Sequence, residues 1–281
     1  MAGGTWLYRG QERTLRTQAE SELRTIAELK SDEIARWREE RMADARRLAT
    51  APGARGLVID WLAEPSAENL EPVVQTLQSL RHGDRYADVL LVSPEGVVLA
   101  AASGETMTLQ PAAQEALGSA LESSEPVFTD LHLGDGDATP HLDVFAPILA
   151  SDEPGSTSVA AIMLRVDAEQ FLFPLIQTWP STSETAETLL IERRGNEVLF
   201  LNDLRHADDT ALELTESLSS TDRASVKAAL GERGIVEGTD YRGETVLAYL
   251  TQIPDTPWLM ISKIDTSEAF EAWQVRSWYI V

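Results

Sequence analysis

Four histidines (His82, His132, His141 and His206), 46 carboxylates and no cysteine bound the chemistry open to this chain. Without a thiol it has no disulfide, no thiolate metal ligand and no cysteine nucleophile. A serine or threonine nucleophile would need an activating base in a recognisable setting. The sequence holds no G-x-S-x-G, no H-E-x-x-H and no phosphate-binding G-x-x-x-x-G-K-[ST]. Catalysis is therefore not expected of it. His132, His141 and Asp143 bracket an acidic turn with Asp135 and Asp137, residue types that a divalent cation accepts. Their spacing matches no metal motif, and "GDGD" supplies too few placed oxygens for an EF-hand loop. Neither a metal nor another cofactor is expected.

Binding is the chemistry that remains, and the charge limits the partner. A formal net charge of −23 repels phosphate backbones and anionic lipid, which excludes nucleic acid as a partner class. No run of 18 apolar residues and no signal-peptide pattern is present. Trp6, Leu7, Tyr8 and Arg9 nevertheless read as the aromatic and basic fringe of a membrane helix, and "WQVRSWYIV" at the other end reads as the start of a second. The expectation is a region anchored by membrane helices outside this chain.

The elements that must position any site can be read in order. Residues 12–50 lack Gly and Pro and carry Ala19, Leu23, Ile26, Ile34, Trp37, Ala45 and Leu48 on one stripe. That predicts a helix of roughly 58 Å. Lys30 and Arg41 interrupt the stripe, so a homodimer through this helix would not be a continuous coiled coil. Helices are expected over 54–62, 67–80, 111–122 and 168–177, the last one kinked or shortened by Pro174. Strands are expected over 86–93, 97–102, 127–131, 142–149 and 158–166.

After the linker "WPSTSE" the order begins again. "ADVLLVSPEGVVL" (87–99) aligns with "AETLLIERRGNEVL" (186–199), "ALG" (116–118) with 229–231, "TDL" (129–131) with "TDY" (239–241), and "RVDAEQF" (165–171) with "KIDTSEAF" (263–270). Four echoes in fixed order indicate a duplicated architecture. Each half reads as an α+β module of five antiparallel strands with flanking helices. In "TDYRG", Tyr241 and Arg242 fall on a strand-to-strand turn that Gly243 permits, and Arg242 is expected to pair with neighbouring acids.

A long N-terminal helix followed by two PAS-like modules resembles the double Cache sensor domain of bacterial and archaeal membrane receptors. The resemblance is carried by "ELKSDEIARWREERMADARRLA" (28–49), "YADVLLVSPEGVVLAA" (86–101), "TAETLLIERRGNEVLFLNDLR" (185–205) and "GIVEGTDYRGETVLAYLTQIPDTPWLMISKID" (234–265). It implies a stalk helix and connection over 1–59, a membrane-distal module over 60–178, a membrane-proximal module over 179–265 and a segment over 266–281 leading to a second membrane helix. It further implies a periplasmic or extracellular setting and a histidine kinase as output, ahead of a diguanylate cyclase or a chemoreceptor. The alternative is a ligand-free module that sets receptor spacing or dimer geometry.

The same resemblance implies a small-molecule site in the distal module. Matching positions are Tyr86 and Asp88 on one side of the first strand, Phe128 and Asp130 on the third, and His141, Asp143 and Phe145 on the fourth. Aromatic walls with convergent carboxylates would suit a cationic or hydroxyl-rich molecule. Amino-acid-binding members of the family carry Arg-x-Trp on a distal-module helix. Here the one such triplet is Arg276-Ser277-Trp278, at the far C-terminus, so that mode of carboxylate recognition is not implied.

Overall fold

A computed structural model describes residues 2–81, 85–134, 139–151, 153, 155–180 and 182–270, with backbone alone described over 2–13. His82, Asp135, Asp137, the C-terminal aromatic fringe and the Arg-Ser-Trp triplet lie outside the described residues, as does most of the 266–281 segment.

Helix α1 runs over Ala2–Thr50. It ends where Pro52 forces the preceding residue out of the helical region, and Ala51 has φ −60° and ψ 118°. Pro52 then opens α2 (Pro52–Ala63) from the first-turn position that tolerates it. Helix α3 follows over Ala67–Arg81.

The chain divides into two compact units. The first module comprises residues 37–172, and the second comprises 1–36 with 173–281. In the first, the sheet contains β1 (Asp88–Val92), β2 (Val98–Ala101), β3 (Val127–Phe128), β4 (His132–Leu133), β5 (Pro140–Leu149) and β6 (Ser158–Asp167), with helix α4 (Pro111–Ser123) between β2 and β3. The strand order is β2-β1-β6-β5-β3, with β4 also on β5. Helix α5 (Ala168–Gln177) leads out of β6 and runs its full length despite Pro174.

The second sheet contains β7 (Glu187–Arg194), β8 (Glu197–Phe200), β9 (Thr215–Ser217), β10 (Gly234–Thr239), β11 (Thr245–Gln252) and β12 (Leu259–Asp265), with α6 (Ala224–Ala229) between β9 and β10. Its order is β10-β11-β12-β7-β8-β9. Read from the other end, β8-β7-β12-β11-β10 reproduces β2-β1-β6-β5-β3, which is the architecture the four sequence echoes require. Among the described residues each sheet has six strands rather than five. The extra ones, β4 and β9, span two and three residues, too short for a period of two to register. The twin hairpins turn on Gly96 and Gly195, both at positive φ (84° and 60°), where a side chain would be strained.

Each sheet buries one face under its internal helix. In the first module Leu90, Val92, Phe145, Ala161 and Met163 pack with Ala113, Ala116, Leu117 and Ala120 of α4. In the second, Leu189, Ile191, Leu250 and Ile261 pack with Ala224, Ala228 and Ala229 of α6. The stripe of α1 is consumed within the chain. Leu23, Ile26, Ala27 and Ile34 are buried in the second module, and Ala45 and Ala49 in the first. The two interruptions are buried as well. Lys30 Nζ donates to the carbonyls of Ile176 and Thr178 (2.6 Å for the latter), and Arg41 Nη2 lies 3.2 Å from Asp44.

Candidate functional site

The apolar face under α4 stops one row short of the end of the sheet. Register places Leu90, Met163 and Phe145 side by side on β1, β6 and β5. Two residues along, the same strands place Asp88, Arg165 and Asp143 side by side. Side chains two apart on a strand share a face, so a polar row continues the apolar one.

That row fronts a cavity of about 550 Å³. Asp88, His141 and Arg165 line it from the sheet, and the loop from Ser103 to Thr108 lines it from outside the sheet. Arg165 is fixed by a bidentate pair: Nε and Nη2 both donate to Asp143, at 3.0 Å each. Asp143 is fully buried and also lies 3.2 Å from His132 Nε2, off the line of a good hydrogen bond. Burial alone would raise the Asp143 pKa, but His132 and Arg165 hold it below the ordinary carboxylate range. Burial likewise opposes the charge on His132, and its contact with Asp143 outweighs that and raises its pKa. Asp88 accepts from Ser103 Oγ (2.5 Å), Ser103 N (3.0 Å) and Val89 N (2.8 Å).

The seven sequence candidates separate into three groups. Asp88 and His141 line the cavity. Asp143 sits behind it and acts through Arg165. The remaining four do not line it. Tyr86 precedes β1 and gives its hydroxyl to Asp44 of α1 at 2.8 Å, so it does not share the side of Asp88. Burial and then that bond push the tyrosine pKa up. Phe128 stands opposite Val144, on the other face from Phe145, and packs on Trp37 (6.1 Å) and under the Arg38 guanidinium (4.4 Å). Phe145 is fully buried under α4. Asp130 holds its own turn, accepting from Leu131 N at 3.0 Å. The expected aromatic walls are thus core, because register across strands, invisible in the sequence, assigns them there. Sequence reasoning missed Arg165 and Ser103. The echo "RVD"/"KID" carried the signal for the first, since both copies begin with a cation. Among the described residues no group of three His, Asp or Glu is arranged to hold a metal.

The second module repeats the row with different residues. Glu187, Lys263 and Ala248 stand in register where Asp88, Arg165 and Asp143 stand in the first. Lys263 is fully buried, and its Nζ reaches Glu187 Oε2 and Asp240 Oδ2, both at 2.9 Å. The Tyr241 hydroxyl donates to Glu187 at 3.0 Å, and the Arg205 amide donates to it at 2.6 Å. Arg242 pairs with Asp240 (2.7 Å) and Asp265, as its setting among acids predicted. A smaller cavity of about 410 Å³, lined in part by Glu187, Arg205 and Trp179, adjoins this row.

A family model for the Cache domain, in its double form (dCache_1), matches residues 11–273. The chain belongs to the double Cache family. The domain is a sensor and carries no catalytic role of its own, and none of the described helices is long and apolar enough to cross a membrane. Solved double Cache structures share the fold at low identity. The ligand-binding domain of the Pseudomonas fluorescens chemoreceptor CtaA, solved with L-isoleucine, is 15% identical with a TM-score of 0.59, covering 93% of this chain and 98% of that one. The extracellular domain of vpHK1S-Z8, assigned as a histidine kinase, is 14% identical with a TM-score of 0.63, covering 92% and 98%. A domain of a sensory-box/GGDEF family protein from Vibrio parahaemolyticus is 14% identical with a TM-score of 0.58, again covering 92% and 98%. No curated protein matches the chain. Double Cache domains are thus the extracellular ligand-binding sensors of several receptor types.

Proposed function

We propose that this double Cache region is the periplasmic or extracellular sensor of a transmembrane receptor, and that it binds a small molecule in the cavity of the first module. One observation carries the reading. The sheet ends in a charged, positioned row (Asp88, Arg165, Asp143), of which Asp88 and Arg165, with His141 beyond it, front about 550 Å³ of open space, where a scaffold module would hold packed apolar side chains. The volume lies within the range of small-molecule sites. A ligand preferring one arrangement of this module would bias the two-state equilibrium of the receptor. The first module is proposed as membrane-distal, the second as membrane-proximal, and the residues after Asp265 as the path to a second membrane helix.

A histidine kinase is the proposed output, by resemblance of the stretch "WREERMADARRLA". Homodimerisation through α1 is proposed on the face bearing the exposed Leu29, because the apolar stripe is already buried within the chain. The test is a thermal-shift screen of small metabolites. A binder at 100 times its Kd adds about 2.7 kcal/mol to stability. Ser103→Trp, which fills the cavity mouth, should abolish that shift. A screen in which every binder is indifferent to this substitution would place the site elsewhere.

A further inference from the structure

The second module has a cavity where the first has one, between the start of its first strand and the chain that follows its second. It measures about 410 Å³. Glu187, Asp203 and Arg205 line it from the module, and the linker ahead of β7 contributes Trp179 and Thr182. Most of its charge is already committed. Glu187 is paired with the buried Lys263 at 2.9 Å. Arg205 Nη1 and Nη2 donate to the carbonyls of Ala186 (2.7 Å) and Ser183 (2.8 Å). Asp203 Oδ1 accepts from the amides of Thr210 (2.9 Å) and Ala211 (3.0 Å). Lys30, itself tied to the Ile176 and Thr178 carbonyls, stands over the Trp179 ring, 5.7 Å from its centroid, and holds it from one side. Three polar groups of the lining stay open. Asp203 Oδ2, the Thr182 hydroxyl and the Trp179 indole N–H have no hydrogen-bond partner among the described residues.

We propose that the second-module cavity is a binding site in its own right and that it takes a neutral sugar. Its volume lies within the range of small-molecule sites. Asp203 and Arg205 put one negative and one positive charge on the same wall, and Lys263 neutralises Glu187. An ionic ligand would therefore meet attraction and repulsion together, whereas a neutral one meets neither. The open groups are an acceptor, a donor and a hydroxyl that is both. A molecule carrying several hydroxyls satisfies all three, because each hydroxyl donates and accepts. Trp179 adds an apolar platform whose ring face carries partial negative charge, which suits the C–H face of a sugar ring. The site is independent of the first-module cavity, since every residue named here belongs to the second module.

Titration calorimetry on the 281-residue chain tests this with three probe sets: neutral sugars (glucose, galactose, ribose, maltose), dicarboxylates and polyamines. At least one sugar should bind. Asp203→Asn, whose amide oxygen can still accept from Thr210 and Ala211, should weaken that binding about tenfold or more, the loss expected when a hydroxyl gives up a charged acceptor. Trp179→Ala should weaken it about tenfold as well. Trp179→Phe, which keeps a ring, should retain most of the affinity and controls for misfolding of the alanine variant. Ser103→Trp, in the first module, should leave sugar binding unchanged. Sugar binding that survives Asp203→Asn and Trp179→Ala overturns the proposal, and its loss in Ser103→Trp would assign it to the first module. Binding by dicarboxylates or polyamines alone, weakened by Asp203→Asn, keeps the site and overturns the ligand class. Failure of every sugar to bind the intact chain, with no other probe sensitive to Asp203→Asn, overturns the proposal and leaves the reading of the first module standing.

Discussion

The first and second modules end in the same three-strand row with a cavity beside each, yet the carboxylate of one row is paired with a buried ammonium and that of the other has neutral donors alone. Both carry a carboxylate on the first strand and a cation on the last. What separates them is a neighbour: Ala248 leaves Lys263 to bridge Glu187 and Asp240, whereas Asp143 holds Arg165 aside. Tyr241 adds a hydroxyl to the second row, and its counterpart in the first module is Leu131, which has none to offer. Duplicated architecture thus yields one row whose carboxylate is paired with a buried ammonium and one whose carboxylate lines a cavity with neutral donors alone. A cation of fixed reach can be redirected by one adjacent charge, because the nearest carboxylate dominates the electrostatic energy in a poorly solvated setting.

The comparison breaks most sharply at the cations. Lys263→Met leaves Glu187 and Asp240 without their ammonium, and chemical denaturation should show a loss of about 3–5 kcal/mol. Arg165→Met should cost less, because His132 still lies beside Asp143. Equal losses would mean that the two rows are energetically alike. The carboxylates come next. Glu187→Gln removes a charge from three partners and should cost about 1.5–3 kcal/mol. Asp88→Asn in the ligand-free chain should cost under about 1 kcal/mol, since the side-chain oxygen still accepts from Ser103. Tyr241→Phe should cost about 1 kcal/mol, the value of one hydrogen bond.

Dependence on pH sharpens the contrast further. The folded pKa of His132 is raised, so its contribution is fully present below its ordinary value and is lost as pH rises through the raised one. The folded pKa of Asp143 is lowered, so its contribution is present above the ordinary carboxylate value and is lost as pH falls through the lowered one. Stability from this row should therefore peak in mildly acidic solution. His132→Gln should flatten the loss on the alkaline side in melting curves recorded across that range. The second row contains no histidine and should add no such slope. The smallest effect concerns Lys30 of the second module, whose burial lowers its pKa to about 8. Carbon-13 NMR should resolve it readily, because Lys227 and Lys263 are its only fellow lysines.

The elements themselves were legible in the sequence. Helix ends at Pro52 and Pro111, turns at Gly96 and Gly195, and the stripe of α1 are written in residues whose backbone preferences act locally. The duplication was legible too, since ordered echoes need no tertiary information. Part of the cavity wall was legible: Asp88 and His141 were found as polar residues at strand positions, and Asp143 as the residue beside them. Tyr86, Phe128, Asp130 and Phe145 do not line the cavity. Alternation says which residues of one strand share a side, and says nothing about which side the next strand matches.

Composition, period and repetition by themselves determined a charged, cysteine-free pair of α+β modules led by a long helix, because these follow from short-range preferences and from counting. Only tertiary structure decided that Arg165 turns to Asp143 and leaves Asp88 facing the cavity. Positions 88, 143 and 165 meet through register across three strands, and register is a property of the assembled sheet.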